Sequence, residues 1–327
     1  MNGWRRLVPV VVYALAAILI GRATVAQNEP FSDMQAYAEG HAAMPFQARY
    51  MMAPVLRWSE RSALVAGLVP HLGYSTRGPE DATMQVIDSL CMLLLGGLVL
   101  CMRRRMAPPA MFAWLAPALL LWMMAQTFIV HYEQQLTMPY DFPAIVFFTV
   151  GILACMERRA IVFLAVMLVA TYNRETSLFL LPIWLACTWD VRRTQAILVA
   201  CAGLTEWLLV RMQVIRWAHA TTSGLAVPWR RNLTLVLHPQ HWPQLLCVAG
   251  LIALPMWLGR GLIEDQRLRR VWLGASAFLV GVAVFGVWNE TRILGELVPL
   301  AACTTAIQFE VYVAGPGRLT SQQADRM

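Results

Sequence analysis

The stretch "ATYNRETSLFLLP", residues 170–182, places an asparagine, an arginine and a glutamate in the middle of a long apolar run. Arginine pairs stand at the two far ends of that run, Arg158 with Arg159 and Arg192 with Arg193. A single helix through the stretch would put the two pairs on opposite sides of a membrane, whereas a hairpin keeps both on the side where basic loops accumulate. We therefore interpret the stretch as the turn of a helical hairpin.

Each arm of this hairpin is short, about 13 and 14 residues over about 160–172 and 176–189. At 1.5 Å per residue an arm rises about 20 Å, against a hydrocarbon core of about 30 Å, so the turn should lie below the membrane surface. Non-helical backbone at that depth is stable only where it is buried in protein or lines a wet cavity. Arg174 and Glu175 are neighbours that point in different directions, so each needs its own partner. The stretch predicts a polar cavity open to the outside; the alternative is that both residues form structural ion pairs between helices.

The composition places the whole chain in a membrane. Of its 327 residues 58% are hydrophobic and 14% are charged, a charged fraction well below that of soluble domains. All 26 basic residues are arginines, many of them in short clusters between apolar runs, which is typical of basic cytoplasmic loops and excludes a nucleic-acid-binding role. The seven cysteines show no metal-ligand or disulfide spacing, and we expect neither a metal site nor a cofactor.

The pattern predicts an all-α integral membrane protein, a polytopic bundle over residues 1–315 with a disordered cytoplasmic tail over 316–327. The positions of the arginine clusters predict cytoplasmic termini and a long first extracytoplasmic loop over about 22–83. An alternative for the start of the chain is a signal sequence cleaved after Ala26. About ten spans are expected, over about 7–21, 84–102, 107–131, 141–156, 160–172, 176–189, 194–213, 243–259, 271–288 and 291–313.

A second copy of the opening pattern occurs near the end of the chain. "WNETRILGELVP", residues 288–299, repeats the order aromatic, Asn, Glu-Thr and then a helix with proline, and "MPYDFPA", residues 138–144, begins another helix with Asp141 as the expected N-cap. Free N–H groups at helix starts attract anions, so these three starts together predict a site for an anion such as phosphate. The candidate binding residues are Asp141, Asn173, Arg174, Asn289, Glu290, Arg292 and Glu296.

The first outer loop carries further polar candidates. Asp33 and Arg49 stand there among aromatic residues and methionines, and the apolar spacing over 46–68 predicts an amphipathic helix on the membrane surface. Asp33 is a candidate catalytic residue, and the alternative is a helix cap or a solvated loop charge.

With Asp33, "PFQAR" (45–49), "YDFPA" (140–144), "YNRET" (172–176) and the late "NETRILGELVP" (289–299), the chain resembles polytopic membrane proteins of bacterial polysaccharide and envelope loci. More distantly it resembles the C-type glycosyltransferase superfamily. The resemblance implies the bacterial inner membrane, a polyprenyl-phosphate sugar as donor, Asp33 as general base and Arg174 with Arg292 on the phosphate, assisted by Arg49. The first loop departs from the superfamily's usual acidic pair, because only Glu39, farther along the chain, accompanies Asp33.

We expect a membrane-embedded glycosyltransferase-like enzyme with Asp33 and Glu175 as catalytic carboxylates, membrane lipids and a lipid-linked sugar donor as partners, and an envelope saccharide or lipid as acceptor. One alternative is a transporter or flippase-like carrier of an anionic or lipid-linked solute. Another is a non-catalytic subunit of an envelope polysaccharide complex. A carrier needs a polar pathway toward the cytoplasm, but the inner halves of the expected spans are nearly free of charge, Glu206 and Glu310 excepted. This asymmetry favours a one-sided site.

Overall fold

The computed structural model describes residues 3–28, 34–40, 42, 49–72, 76, 78–106, 112–130, 137–217, 228–243, 245, 265–288 and 290–314. Every regular element within these residues is helical. The α-helices are α1 (Gly3–Asn28), α2 (Met34–Glu39), α3 (Ala53–Arg61), α4 (Ala63–Leu68), α5 (Pro79–Met106), α6 (Leu115–Phe128), α7 (Asp141–Met156), α8 (Ala160–Asn173), α9 (Leu180–Thr188), α10 (Arg193–Trp217), α11 (Trp229–Leu237), α12 (Gln266–Phe285) and α13 (Val298–Ala314).

Two of the 3₁₀ segments lead directly into α-helices. Glu175–Phe179, here called the first 3₁₀ turn, continues into α9, and Thr291–Leu297, the second 3₁₀ turn, continues into α13. Shorter 3₁₀ segments are Tyr50–Met52, Val69–His71 and Pro239–His241. The hairpin predicted around Asn173 is thus present, with α8 and α9 as its arms.

Four helices are long and apolar enough to cross a membrane alone, at Leu7–Gln27, Pro79–Met106, Arg193–Trp217 and Gln266–Phe285. At most half of the most apolar window of any of them is buried in the protein, so much apolar surface faces outward, as in Leu273 and Leu209, which are 69% and 59% exposed. A bilayer is the solvent that such a surface requires. The all-α membrane class is therefore confirmed, while the expected span over about 243–259 and the tail over 316–327 lie mainly or wholly outside the described residues.

α1 packs antiparallel on α5 through a close crossing. The Tyr13 hydroxyl donates to the Met92 carbonyl at 2.7 Å, and a Cβ on Gly21 would lie 2.7 Å from the Ser89 amide nitrogen. Only a residue without a side chain permits this approach. The crossing fixes the position of α1 on α5.

The hairpin packs on its neighbours with the same closeness. Phe163 of α8 stacks on Trp184 of α9 with ring centroids 4.8 Å apart, and a Cβ on Gly274 of α12 would lie 2.4 Å from the Ile183 Cα. Ile183 and Trp184 are fully buried. This packing fixes α9, and with it the first 3₁₀ turn, relative to α8 and α12.

Predicted arginine clusters gather at one end of the bundle, which we call the arginine end. Glu157, after α7, pairs with Arg105 at the end of α5 and with Arg159 at 2.6 Å. Asp190, after α9, pairs with Arg270 of α12 at 2.7 Å. The described connections that carry these clusters therefore share one face, as the sequence indicated.

Arg103 departs from that expectation because it is not a solvated loop charge. It is 4% exposed and forms a buried ion pair with Glu310 of α13. The reason is its position: α5 continues to Met106, so Arg103 lies inside the helix and faces α13.

The long segment between α1 and α5 is largely helical, as predicted for 46–68, although 43–48 lie outside the described residues. The helix breaks at Ser62, whose hydroxyl caps α4 by accepting from the Val65 amide. Leu56 faces inward and Trp58 is 61% exposed, so the segment is amphipathic. α11 was missed: it lies between the expected spans over about 194–213 and 243–259, where we predicted no helix.

Candidate functional site

The two copies of the sequence pattern fold alike. In each, one residue with extended backbone, Arg174 or Glu290, precedes a 3₁₀ segment, and an α-helix with proline among its first residues continues from it. Arg174 has the extended conformation, with φ −157° and ψ 142°. The repeat seen in the sequence therefore corresponds to a repeat of local structure.

The first 3₁₀ turn is recessed within the bundle. The Trp207 indole N–H donates to the Glu175 carbonyl at 3.1 Å, and α10 continues from Trp207 to Trp217, a further rise of about 15 Å. The turn thus meets α10 well below the end of that helix, in agreement with the depth inferred from the short arms.

Asp141 joins the two copies of the repeat. Its two carboxylate oxygens face Arg174 of the first copy at 3.2 Å and Arg292 of the second copy at 3.5 Å. Arg174 also lies 3.5 Å from Glu296 of the second copy, and the Thr176 hydroxyl donates to the same Glu296 oxygen. These contacts hold the start of α7 and both 3₁₀ turns together.

A second group of charges surrounds Glu175. Arg49 donates to its carboxylate through two nitrogens, with Nε at 3.0 Å, and through Nη1 to the Tyr140 hydroxyl at 2.7 Å. Arg211 of α10 lies 4.0 Å from the same carboxylate. Burial alone would lower the pKa of Arg49, but Glu175 and Tyr140 together raise it well above its ordinary value. Arg49 is therefore always cationic.

The charged side chains around Asp141 and those around Glu175 are joined through Tyr140, which accepts from Arg49 and from Asn173, into one network with a closed part and an open part. Arg174, Asp141 and Glu296 have side-chain exposures of 5% or less. Glu175, by contrast, keeps 32% of its side chain exposed. The full set is Arg49, Arg174, Arg211 and Arg292 with Asp141, Glu175, Glu290 and Glu296.

Three buried atoms of the closed part have no hydrogen-bond partner in the described structure. They are Asn173 Oδ1, Arg174 Nε and Glu296 Oε2. Unsatisfied buried polar groups cost free energy, and native proteins contain few of them. Two acceptors and one donor are thus available at the point where the two copies meet.

The structure brings together most of the residues predicted from sequence. Glu175, Arg49, Asp141, Asn173, Arg174, Glu290, Arg292 and Glu296 all belong to the network or contact it. Asp33 and Asn289 lie outside the described residues. α2 begins directly after Asp33, and Tyr37 of α2 donates to the Arg49 carbonyl and packs 6.1 Å from the Tyr140 ring.

The expected N-cap role of Asp141 is wrong. Asp141 is the first residue of α7, and its carboxylate accepts from the Met138 amide outside the helix. Asn173 is the last residue of α8 and donates to the Tyr140 carbonyl at 2.9 Å, and neither 3₁₀ turn has a side-chain cap. The reason is electrostatic: the Asp141 carboxylate contacts Arg174 and Arg292, which are stronger partners than backbone amides.

Sequence reasoning missed three residues of the site, Tyr140, Thr176 and Arg211. Arg211 could have been predicted as a site residue, because it is an arginine inside the apolar run of α10 and intramembrane charges are rare. Nothing in the sequence distinguishes Tyr140 and Thr176 as site residues, since aromatic and hydroxyl side chains are common at helix starts.

A further buried carboxyl lies between α1 and α5. Asp88 is fully buried, and its one hydrogen bond in the described structure is a 3.4 Å contact with the Thr24 hydroxyl. That hydroxyl also lies 3.0 Å from the Gly21 carbonyl and has a single proton to donate. Both contacts are satisfied together when Asp88 itself carries a proton and donates it to Thr24.

In the described part of the chain, no group of three His, Cys, Asp or Glu side chains is arranged to hold a metal ion. What the network can do is present fixed guanidinium groups and carboxylates to a polar ligand in a partly water-excluded setting. Comparison of the chain with protein-family models, with curated proteins and with solved structures finds no match in any of the three.

Proposed function

We propose that the protein is a membrane-embedded glycosyltransferase-like enzyme that transfers a sugar from a polyprenyl-phosphate donor to an envelope saccharide or lipid on the extracytoplasmic face. The observation that carries the proposal is the network itself, in which two equivalent helix starts are joined by arginines and carboxylates in a recessed position. A lipid-linked donor has an anionic group at the membrane boundary, which is where such a network can reach it.

The open part of the network fits the donor phosphate. Two guanidinium groups, Arg49 and Arg211, face the partly exposed Glu175 carboxylate. Arginine binds phosphate oxygens through paired N–H groups. The exposure of this part supports phosphate binding here better than at Arg174, which is buried and whose charge is compensated by Asp141 and Glu296.

The transfer itself needs a base and a stabilised leaving group. The acceptor hydroxyl oxygen bonds to the anomeric carbon, the carbon–oxygen bond to phosphate breaks, and the phosphate leaves with the electron pair. The hydroxyl proton passes to a carboxylate, for which Asp33 and the partly exposed Glu175 are the candidates. Arginines at the open part would stabilise the charge on the departing phosphate.

The proposal includes a bundle of about ten spans in the bacterial inner membrane, with cytoplasmic termini and the arginine end in the cytoplasm. The polar network lies at the opposite ends of the same helices: Asp141 begins α7 and Glu157 follows it, and Asn173 ends α8 while Arg159 precedes it. The site then faces the extracytoplasmic side.

The first experiment compares envelope glycans and polyprenyl-phosphate sugars by mass spectrometry in cells that lack the protein and are complemented with wild type, Glu175→Gln or Glu157→Gln. Glu157→Gln is the matched control, because it makes the same chemical change in an ion pair at the arginine end. At equal expression, we expect Glu175→Gln alone to lack one sugar and to accumulate its lipid-linked donor.

Unchanged glycans and donor pools in Glu175→Gln would refute the transferase. Loss of the sugar without donor accumulation on the extracytoplasmic side would instead support a carrier of the lipid-linked solute. Equal defects in Glu175→Gln and Glu157→Gln would support a structural subunit whose ion pairs only maintain the fold.

A further inference from the structure

We infer that the three unpaired atoms of the closed part, Asn173 Oδ1, Arg174 Nε and Glu296 Oε2, form a subsite for hydroxyl groups of the transferred sugar. The inference rests on the proposed function and deepens it. It assigns the sugar and the phosphate of the donor to different parts of the network.

Phosphate does not suit these three atoms. At neutral pH a phosphate diester presents only acceptor oxygens, and two of the three available atoms are acceptors themselves, one of them on a carboxylate. Phosphate oxygens would therefore face Glu296 Oε2 and Asn173 Oδ1 without a proton between them. The mixture of donor and acceptor excludes this group from the closed part.

A sugar hydroxyl suits all three atoms, because it donates one hydrogen bond and accepts two. Two hydroxyls could donate to Glu296 Oε2 and Asn173 Oδ1, and either could accept from Arg174 Nε. The three residues are held rigidly: Asn173 Nδ2 is bonded to the Tyr140 carbonyl, and Arg174 and Glu296 contact each other at 3.5 Å. A ligand would thus meet preorganised partners.

The location agrees with a donor bound across the network. Asn173 and Arg174 immediately precede Glu175, whose partly exposed carboxylate belongs to the open part. A donor with its phosphate near Arg49 and Arg211 would place its sugar toward the neighbouring closed part. Both copies of the repeat contribute, since Asn173 and Arg174 come from the first and Glu296 from the second.

The test measures binding of two lipids to the purified full chain in nanodiscs: polyprenyl phosphate without sugar, and a panel of polyprenyl-phosphate monosaccharides. Glu296→Gln replaces the carboxylate acceptor by an amide. We expect it to weaken binding of the preferred glycosylated lipid about ten-fold, the loss of one charge-assisted hydrogen bond, and to leave polyprenyl phosphate unaffected. Arg211→Gln should weaken the binding of both lipids.

Thr291→Val is the matched control for folding. It removes one buried hydrogen bond, from the Thr291 hydroxyl to the Thr127 carbonyl at 2.6 Å, in the same 3₁₀ turn as Glu296. We expect it to bind both lipids as wild type does. The folded fraction of each variant is determined from its thermal unfolding curve, and affinities are calculated per folded protein. A damaged fold is then not counted as lost affinity.

The outcomes separate the inference from the proposed function. If wild type binds neither lipid, the proposed function fails and the subsite fails with it. If wild type binds the glycosylated lipid but Glu296→Gln binds it equally well, the three atoms hold water rather than sugar and the inference alone is wrong. An equal loss for both lipids would also overturn it, because the effect would then not depend on the sugar.

Discussion

Removing Arg174 should destabilise the protein, and removing Glu296 as well should restore part of the lost stability. At an effective dielectric constant of about 20, the contacts of Arg174 with Asp141 at 3.2 Å and Glu296 at 3.5 Å are each worth about 5 kcal/mol before desolvation. Desolvation offsets several kcal/mol per ion, so the net value of the pairs is small. Breaking them from one side is different, because it leaves a buried charge without compensation.

Arg174→Gln leaves the two carboxylates in unequal positions. Asp141 keeps its contact with Arg292 at 3.5 Å. Glu296 loses the ion pair that it forms in the described structure and keeps the hydrogen bond from the Thr176 hydroxyl. We expect a loss of about 3–5 kcal/mol in the free energy of unfolding. Glu296→Gln should cost less, because Arg174 then keeps Asp141. The double variant should be more stable than Arg174→Gln, since its buried carboxylate is gone.

The assay is thermal unfolding of the purified protein in nanodiscs, followed by the fluorescence of its 13 tryptophans. Arg192→Gln serves as control because Arg192 is exposed and bonded only weakly in this structure, to Gln195 at 3.3 Å, and it should leave the melting temperature unchanged. A double variant that melts at or below Arg174→Gln would refute the reasoning. The two copies of the repeat would then be held together by packing alone.

Asp88→Asn should melt as wild type does and Asp88→Ala should melt lower, because an amide keeps a group that can hydrogen-bond to the Thr24 hydroxyl; equal losses in the two variants would mean that the carboxylate charge is needed. Burial and then the Glu80 carboxyl raise the pKa of Glu60, so ionisation of Glu60 lowers stability as pH rises through that pKa. Glu60→Gln should therefore raise the melting temperature at high pH and have no effect at low pH, and a pH-independent shift would contradict this. In a glycosylating host the sequon at Asn232 should stay unmodified, checked by endoglycosidase mobility shift, because its amide is buried and donates to the Gly286 carbonyl at 2.9 Å.

The hairpin was predictable because its indications are local. Charges at Arg174 and Glu175 interrupt an apolar run, and arms of fixed rise per residue must end short of the membrane surface. The prediction that the two residues need separate partners is also confirmed, since Arg174 pairs with Asp141 and Glu296 while Glu175 pairs with Arg49. Local chemistry specifies that partners exist.

Which partners these are could not be read from the sequence. Arg49 and Glu175 are 126 residues apart, and only the packing of α2 and α3 on the bundle brings them into contact. Likewise the pairing of Arg103 with Glu310 across 207 residues depends on the rotation of two helices about their axes. The packing of apolar helix faces determines which distant residues come close together, and the charged residues then pair with whichever opposite charge lies nearby.

The same limit explains the errors at helix starts. N-cap preferences describe an isolated helix, where a side-chain oxygen competes only with water for the free amides. At Asp141 buried guanidinium groups are the stronger competitors, and the carboxylate turns toward them. α11 was missed for a related reason: its nine residues begin with Trp229 and two arginines, and it is anchored by Asn232 rather than by a long apolar face.

The packing of α13 bears on whether the network belongs to an enzyme or to a carrier. Glu296 of the second 3₁₀ turn and Glu310 of α13 are fourteen residues apart, about 21 Å at 1.5 Å per residue, and mark the two polar ends of this part of the bundle. Between them the Cys303 thiol rests on the Val99 carbonyl, and Thr304 accepts from the Trp272 indole at 3.0 Å. The apolar side chains in this layer have at most 1% of their surface exposed: Leu300, Ala301, Ala302 and Ala306. A carrier would have to part this layer to move a polar head group through it, whereas a transferase needs access from one side, which the 32% exposure of the Glu175 side chain supplies.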